Sequence, residues 1–318
     1  MTFRRLSGWA PFRGLVPLLL AFAFGVFLAP QASAARVAVV LSEDSAPYQE
    51  AYQAMRLQLD DSPHGYYPVY ADALTAPLLA GAQVVVAVGV RATEAVAALP
   101  IRTPVLAAMV PRVWYLKTGR GLLAAGGRRE LSAIYVDQPL DRQAALIRLA
   151  LPEVRRVGVL LGSEQAQLVP ELDAALRAQR LDLVSALLPT DEERLLPTLE
   201  NLLPDADLLL AVADPRVFNR STAQSLFLTT YRYRTPVMGY SRSMTRAGAL
   251  LALHASPAQI GQQAAETVVA ALQGGAVRLP VPAYPVYFSI SINEKVGRSL
   301  GIPLASEAEL AARMGARP

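Results

Sequence analysis

Cysteine is absent from the 318-residue chain, and histidine occurs only twice, at His64 and His254. The first absence excludes disulfides, thiolate metal sites, a cysteine nucleophile and the lipidated cysteine of an anchored lipoprotein. The second leaves little from which to build a metal centre or a catalytic triad. His64, between Pro63 and Gly65, reads as a loop residue, and no local partner completes a triad around His254. No H-E-x-x-H, G-x-S-x-G or phosphate-binding loop occurs. Gly119-Arg-Gly121-Leu-Leu-Ala124 imitates a dinucleotide fingerprint, but it lacks a clear strand before it and an acidic residue downstream. No interleaved aromatic and basic pattern points to nucleic acid. The expectation is a chain with no catalytic residues, no metal, no cofactor and no nucleic-acid partner.

The amino terminus reads as a cleavable signal peptide over residues 1–34. Arg4, Arg5 and Arg13 make a positive start, Leu15 to Ala29 is apolar, and Ala32-Ser33-Ala34 is an A-x-A cleavage site. The alternative is a membrane anchor, for which the apolar run is short. The flanks of Arg4-Arg5 match a twin-arginine signal poorly, so the general secretory route is expected. The chain has 30 basic and 26 acidic side chains. Cleavage removes three arginines and no acid, leaving 27 against 26, so charge does not argue for nucleic acid. About 284 residues remain, enough for two compact lobes. Export without an anchor predicts the periplasm.

Three apolar segments occur twice in the same order. Arg36-Val-Ala-Val-Val-Leu-Ser-Glu43 returns as Arg156-Val-Gly-Val-Leu-Leu-Gly-Ser-Glu164. Gln83 to Gly89 returns as Asp207 to Ala213, and Thr103-Pro-Val-Leu106 as Thr235-Pro-Val-Met238. Short, nearly continuous apolar runs are the pattern of strands covered on both faces of a parallel sheet. Helical patterns alternate with them: Tyr48, Tyr52, Met55 and Leu59 share one face, as do Leu168, Leu172 and Leu176. Thr190 with Glu193 makes a capping box. The fold class predicted is α/β, with two doubly wound, Rossmann-like lobes and a central cleft. Gly119 to Arg129 has no periodicity and reads as irregular. Leu131 to Val136 reads as a strand entering the second lobe, with Leu140 to Leu151 as its first helix. Lobe 1 is expected over residues 35–132 with a return segment 251–280, and lobe 2 over 133–250 with the C-terminal segment 281–318.

The stretch from Arg246 to Pro303 carries the most specific order. An apolar run from Gly248 to Leu253 reads as a strand, and Ser256, Pro257 and Gln259 form a capped helix start. Ile260, Ala264, Val268 and Leu272 recur every four residues, and Gly274-Gly275 stop the helix. Val286, Phe288, Ile290 and Ile292 alternate as a strand, followed by a short helix from Asn293 to Leu300. With Gly248-Ala249-Leu250, Gly261, Ala264-Ala265, Leu279-Pro280-Val281, Ile292-Asn293 and Leu300-Gly301-Ile302-Pro303, this order resembles the substrate-binding proteins of ABC transporters. The resemblance is to the TrpX-like group, which has the type I periplasmic binding protein fold. It implies three crossings between the lobes, hinge closure around a small-molecule ligand such as an amino acid, and delivery to an inner-membrane ABC permease. A periplasmic sensor or accessory protein of an envelope complex, using the same fold without transport, is the second reading, and an exported enzyme the third.

In open parallel sheets, ligands bind beyond the carboxyl ends of the strands. That rule nominates Ser42, Gly89, Ser163, Asp214, Tyr240 and Ser241 as ligand-binding residues. Ser42 and Ser163 precede helix starts, where hydroxyls and free N–H groups suit a small anion. Asp214 suits an amine or hydroxyls, and Tyr240 suits a flat ligand. The alternatives are equally physical. The serines would serve as caps alone, Asp214 would open a turn at Pro215, and Tyr240 would be packing. The arginines from Arg216 to Arg246 read either as a solvated face or as an anion site.

Overall fold

Apolar strands in two successive sets build two sheets. The computed structural model describes residues 1–2, 36–125, 129–189, 194–273 and 276–316. Met1–Ala34 and Ala35–Pro318 are separate units, and both sheets belong to the second. Beyond Met1 and Thr2, the expected signal peptide lies outside the described residues, as do the Thr190–Glu193 capping box and Gly274-Gly275.

The first sheet contains β1 (Arg36–Leu41), β2 (Gly65–Tyr70), β3 (Val84–Val88), β4 (Val105–Val110) and β5 (Leu131–Tyr135), in the order β2-β1-β3-β4-β5. All its pairings are parallel. The second contains β6 (Arg156–Gly162), β7 (Asp182–Leu188), β8 (Leu208–Leu210), β9 (Val237–Gly239), β10 (Leu251–His254) and β11 (Ser289–Ile292), in the order β11-β10-β9-β8-β6-β7. Taken from the other edge, β7-β6-β8-β9-β10 repeats the order of the first sheet, and β11 is an antiparallel addition beside β10. The duplicated segments of the sequence thus occupy equivalent strands. On β1, Val37, Val39 and Leu41 enter one core while Ala38 and Val40 enter another. Both faces are covered, so the strand is apolar without alternation.

The edge strands β2 and β7 carry no such signal. Apart from Val69 and Leu188, which are buried, their residues are half-buried or exposed, and Pro68 sits within β2. A proline is tolerated there because β2 pairs on one side only. The segment expected to be irregular, Gly119 to Arg129, is helical over much of its length. A turn at Arg112–Trp114 and a π turn at Tyr115–Gly119 run into a helix over Arg120–Ala125. Tyr115 and Leu123 are buried on its inner side. Gly119 is required because a Cβ there would lie 2.5 Å from the Trp114 ring.

The remaining helices that position the site are α1 (Ala46–Asp60), α2 (Val90–Ala97), α3 (Arg120–Ala125), α4 (Leu140–Ala150), α5 (Val169–Ala178), α6 (Leu195–Leu202), α7 (Ala223–Arg232), α8 (Arg242–Ala247) and α9 (Pro257–Leu272). Sheet membership differs from the expected boundaries at two strands. β5 pairs with β4 in the first sheet rather than opening the second lobe, through Leu106↔Ser132 and Ala107↔Ala133. β10 lies in the second sheet, so the return begins after it rather than at residue 251.

The helices after these two strands are exchanged. α4 follows β5 yet buries Ala144 and Ile147 in the core of the second sheet. α9 follows β10 yet buries Ile260, Ala264 and Val268 in the core of the first. The Ser256–Gln259 capping box is formed at the start of α9. The chain then makes a third crossing: Ala283 bonds to Ala133 and Tyr135 of β5, and β11 forms beside β10. β11 is shorter than the alternation from Val286 suggests. β10 is four residues long, and the Val286 N–H is taken by the Gln263 side chain.

Candidate functional site

The carboxyl ends of β4 and β5 in the first sheet and of β8, β9 and β10 in the second line one cleft of about 880 Å³. That is within the range of small-molecule sites. The first lobe contributes Met109 from β4 and Pro111 to Val113 after it, and the second contributes Gln165, Ala211 to Ala213 and Tyr240 to Ser243. The crossings contribute Val136 to Gln138, Ala255 to Pro257, and Tyr284, with His254 from the end of β10 beside them. Met109 stands at a bulge in the β4–β5 pairing with φ 57°. A left-handed backbone costs about 1–3 kcal/mol for a residue other than glycine, and here it turns the chain at the cleft floor.

Of the six residues nominated by strand ends, Tyr240 and Ser241 line the cleft. Tyr240 packs edge-on against Phe218, with ring centroids 6.2 Å apart. Ser241 precedes α8, and its hydroxyl is 2.9 Å from that of Ser243. The other four are not among the lining residues. The Ser42 hydroxyl donates to the Val88 carbonyl at 2.8 Å and accepts from the Ala92 N–H at 3.0 Å, so it ties β1 to the start of α2. Gly89 has φ 93°, and a Cβ there would lie 2.4 Å from the Ser42 Oγ. Ser163 is exposed at the start of a 3-10 turn, Ser163–Leu168. The buried Asp214 carboxylate accepts from the Gly162 N–H at 2.7 Å and the Arg216 N–H at 2.9 Å, fixing a turn.

The crossings hold polar residues that the strand-end rule does not nominate. Gln138 lines the cleft and is 5% exposed, and its Nε2 is buried without a partner among the described residues. Its orientation is fixed, because Arg142 donates to its Oε1 at 2.7 Å. The same guanidinium donates to the Pro285 carbonyl at 2.9 Å and lies 4.5 Å from the Phe288 ring centroid. Arg142 therefore ties the first crossing to the third. Gln165, on the 3-10 turn after β6, is the counterpart from the second lobe: its Nε2 donates to the Ala213 carbonyl at 3.3 Å, and its Oε1 is buried without a partner among the described residues. A buried donor and a buried acceptor left open are costly unless a ligand or water completes them.

Charge in the cleft is shaped by burial. Burial raises the Asp137 carboxyl above its ordinary range, opposed by the Arg112 N–H, which donates to it at 2.6 Å. Burial and then the Arg242 charge lower His254, whose Nε2 is 2.9 Å from the Ser291 hydroxyl. Burial raises the Tyr240 and Tyr284 phenols, and both remain protonated. No group of His, Asp and Glu able to hold a metal ion occurs among the described residues, and no described helix is long and apolar enough to cross a membrane.

A family model described as ABC transporter substrate binding protein matches residues 79–313. No curated protein matches the sequence. Among solved structures, a complex of an ABC domain with L-Trp from Streptococcus pneumonia has TM-score 0.56 and 16% identity, covering 86% of this chain and 97% of that one. A conserved domain protein from Vibrio cholerae has TM-score 0.60 and 19% identity, covering 88% and 98%. The ligand-free, open structure of a substrate-binding protein with adhesive properties from Clostridium difficile has TM-score 0.64 and 15% identity, covering 86% and 96%. The shared fold is the two-lobed, type I periplasmic binding protein fold.

Proposed function

The chain belongs to the ABC transporter substrate-binding protein family, and from that premise we propose that it is the solute-binding component of an ABC-type importer. It acts in the periplasm after removal of residues 1–34. The two lobes close about the crossings at 136–140, 255–257 and 284–289 around a small polar or aromatic molecule such as an amino acid, and the closed form is handed to an inner-membrane permease. The observation that carries this reading is a pair of buried polar atoms, without partners among the described residues, on two side chains that line one cleft. Gln138 Nε2 offers a donor from a crossing, and Gln165 Oε1 an acceptor from the second lobe. A solute that bonds both, directly or through water, spans the boundary between the lobes and favours closure, since a ligand shifts an equilibrium by its differential contacts with the two states. The L-Trp complex among the structural relatives supports a compound of that size.

The test is a thermal-shift screen of amino acids, sugars, nucleosides and organic acids, followed by calorimetry on the hits. The protein is produced with its leader and collected from the periplasm. The reading predicts a mature chain beginning at Ala35 and at least one solute that raises the melting temperature and binds one to one. A protein retained in the cytoplasm would contradict both this reading and the accessory-protein one, and an exported protein that responds to no solute would favour the accessory-protein reading.

A further inference from the structure

Two acids line the cleft, Glu50 and Asp137, and both are engaged. Glu50 accepts from the Ala258 N–H at 3.4 Å, and Asp137 from the Arg112 N–H at 2.6 Å. The Arg112 guanidinium is spent on Glu171, at 2.9 and 3.3 Å. Arg242 and Arg246 are different. They line the same cleft four residues apart on α8, and neither has an ion-pair partner among the described residues. The burial of Met244 and Thr245 turns α8 so that these two face outward. The Ser241 and Ser243 hydroxyls stand beside them.

In an open cleft water solvates both guanidiniums. Closure removes that water, and a desolvated guanidinium without an acceptor is strongly unfavourable. An anion on this wall therefore favours closure. A carboxylate suits it, since a guanidinium binds carboxylate oxygens in a planar fork. The rest of the lining includes Met109, Leu168, Val212 and Ile260, which offer no charge and suit a hydrocarbon body.

We propose that the cleft takes an organic acid, with its carboxylate seated on Arg242 and Arg246 and an apolar body lying against Met109, Leu168 and Tyr240. The inference rests on the solute-binding reading and narrows it: a carboxylate is required, and an ammonium group is not.

Three compounds with one hydrocarbon body isolate the charges: 3-phenylpropionate, L-phenylalanine and 2-phenylethylamine. Calorimetric titration of the mature protein should give binding of 3-phenylpropionate at least as tight as that of L-phenylalanine, and none of the amine. Arg242→Gln with Arg246→Gln should weaken the acid at least tenfold while leaving the melting temperature of the free protein unchanged. Binding of L-phenylalanine without 3-phenylpropionate, binding of the amine, or an acid affinity indifferent to the double substitution would each overturn the inference. So would no binding of any of the three. A response to sugars or nucleosides would then leave the solute-binding reading standing, whereas silence across the whole screen would remove both.

Discussion

The Arg112 guanidinium donates to both carboxylate oxygens of Glu171, at 2.9 and 3.3 Å, joining the end of β4 to α5 across the boundary between the two sheets. Close by, Lys117 donates to the Glu164 carbonyl at 2.7 Å, again from the first lobe to the second. The Arg112 N–H is also held by Asp137 in the first crossing. A partly exposed pair of this kind is worth about 0.5–1 kcal/mol, enough to change a two-state ratio by roughly two- to fivefold.

The pair should therefore bias the ligand-free protein toward closure. The natural chain has no cysteine, so spin labels at Glu94→Cys on α2 and Ala178→Cys on α5 report one distance. Glu171→Arg should shift that distribution to longer distances, and adding Arg112→Glu should restore it. An unchanged distribution in the single variant would show that the pair does not set the equilibrium.

His254 gives a pH dependence. Burial and the charge of Arg242 hold it below its ordinary value of 6.5 in the folded chain. The unfolded state then binds more protons between the two values, so stability is complete above about pH 6.5 and falls as the pH drops toward the folded value. Melting temperatures measured from about pH 8 to about pH 5 should fall more steeply for the wild type than for His254→Gln. Parallel curves would contradict the assignment.

Gly261 sets the approach of α9 to α1. A Cβ there would lie 2.1 Å from the Ala51 carbonyl oxygen, which is backbone and cannot rotate away. Alanine gains about 1 kcal/mol in helix propensity, but overpacking costs about 1–3 kcal/mol and often more against rigid backbone. Gly261→Ala should lower the unfolding free energy in urea; a stabilised variant would mean that the two helices separate without cost.

Asp214 should matter for stability and not for the ligand. Asp214→Ala removes the acceptor of the buried Gly162 N–H, at a cost of about 1–3 kcal/mol. Denaturation should detect that loss, while calorimetry with any solute found in the screen should show an affinity within twofold of wild type. A large loss of affinity would place Asp214 in the site.

The buried parallel strands were legible because both faces of each sheet are covered, which forces apolar runs such as Val84–Val88. The start of α9 was legible because Ser256 and Gln259 are a local capping pair. The edge strands β2 and β7 were not, since one free edge and a half-exposed face relax the pattern. Of the residues that line the cleft, the strand-end rule nominated Tyr240 and Ser241 but passed over Asp137 and Gln138. Both follow β5, and the rule reaches them once β5 is known to close the first sheet. Arg242 and Arg246 look like a solvated face in sequence. Only the rotation of α8, fixed by the burial of Met244 and Thr245, brings them to the cleft.

Native mass spectrometry of the mature protein, taken from the periplasm without refolding, tests the central claim most directly. The account predicts a stoichiometric small-molecule adduct that is lost in Tyr240→Ala, which alters the cleft wall, and kept in Asp214→Ala, which does not. An adduct that survives Tyr240→Ala and vanishes in Asp214→Ala would contradict the placement of the site in this cleft.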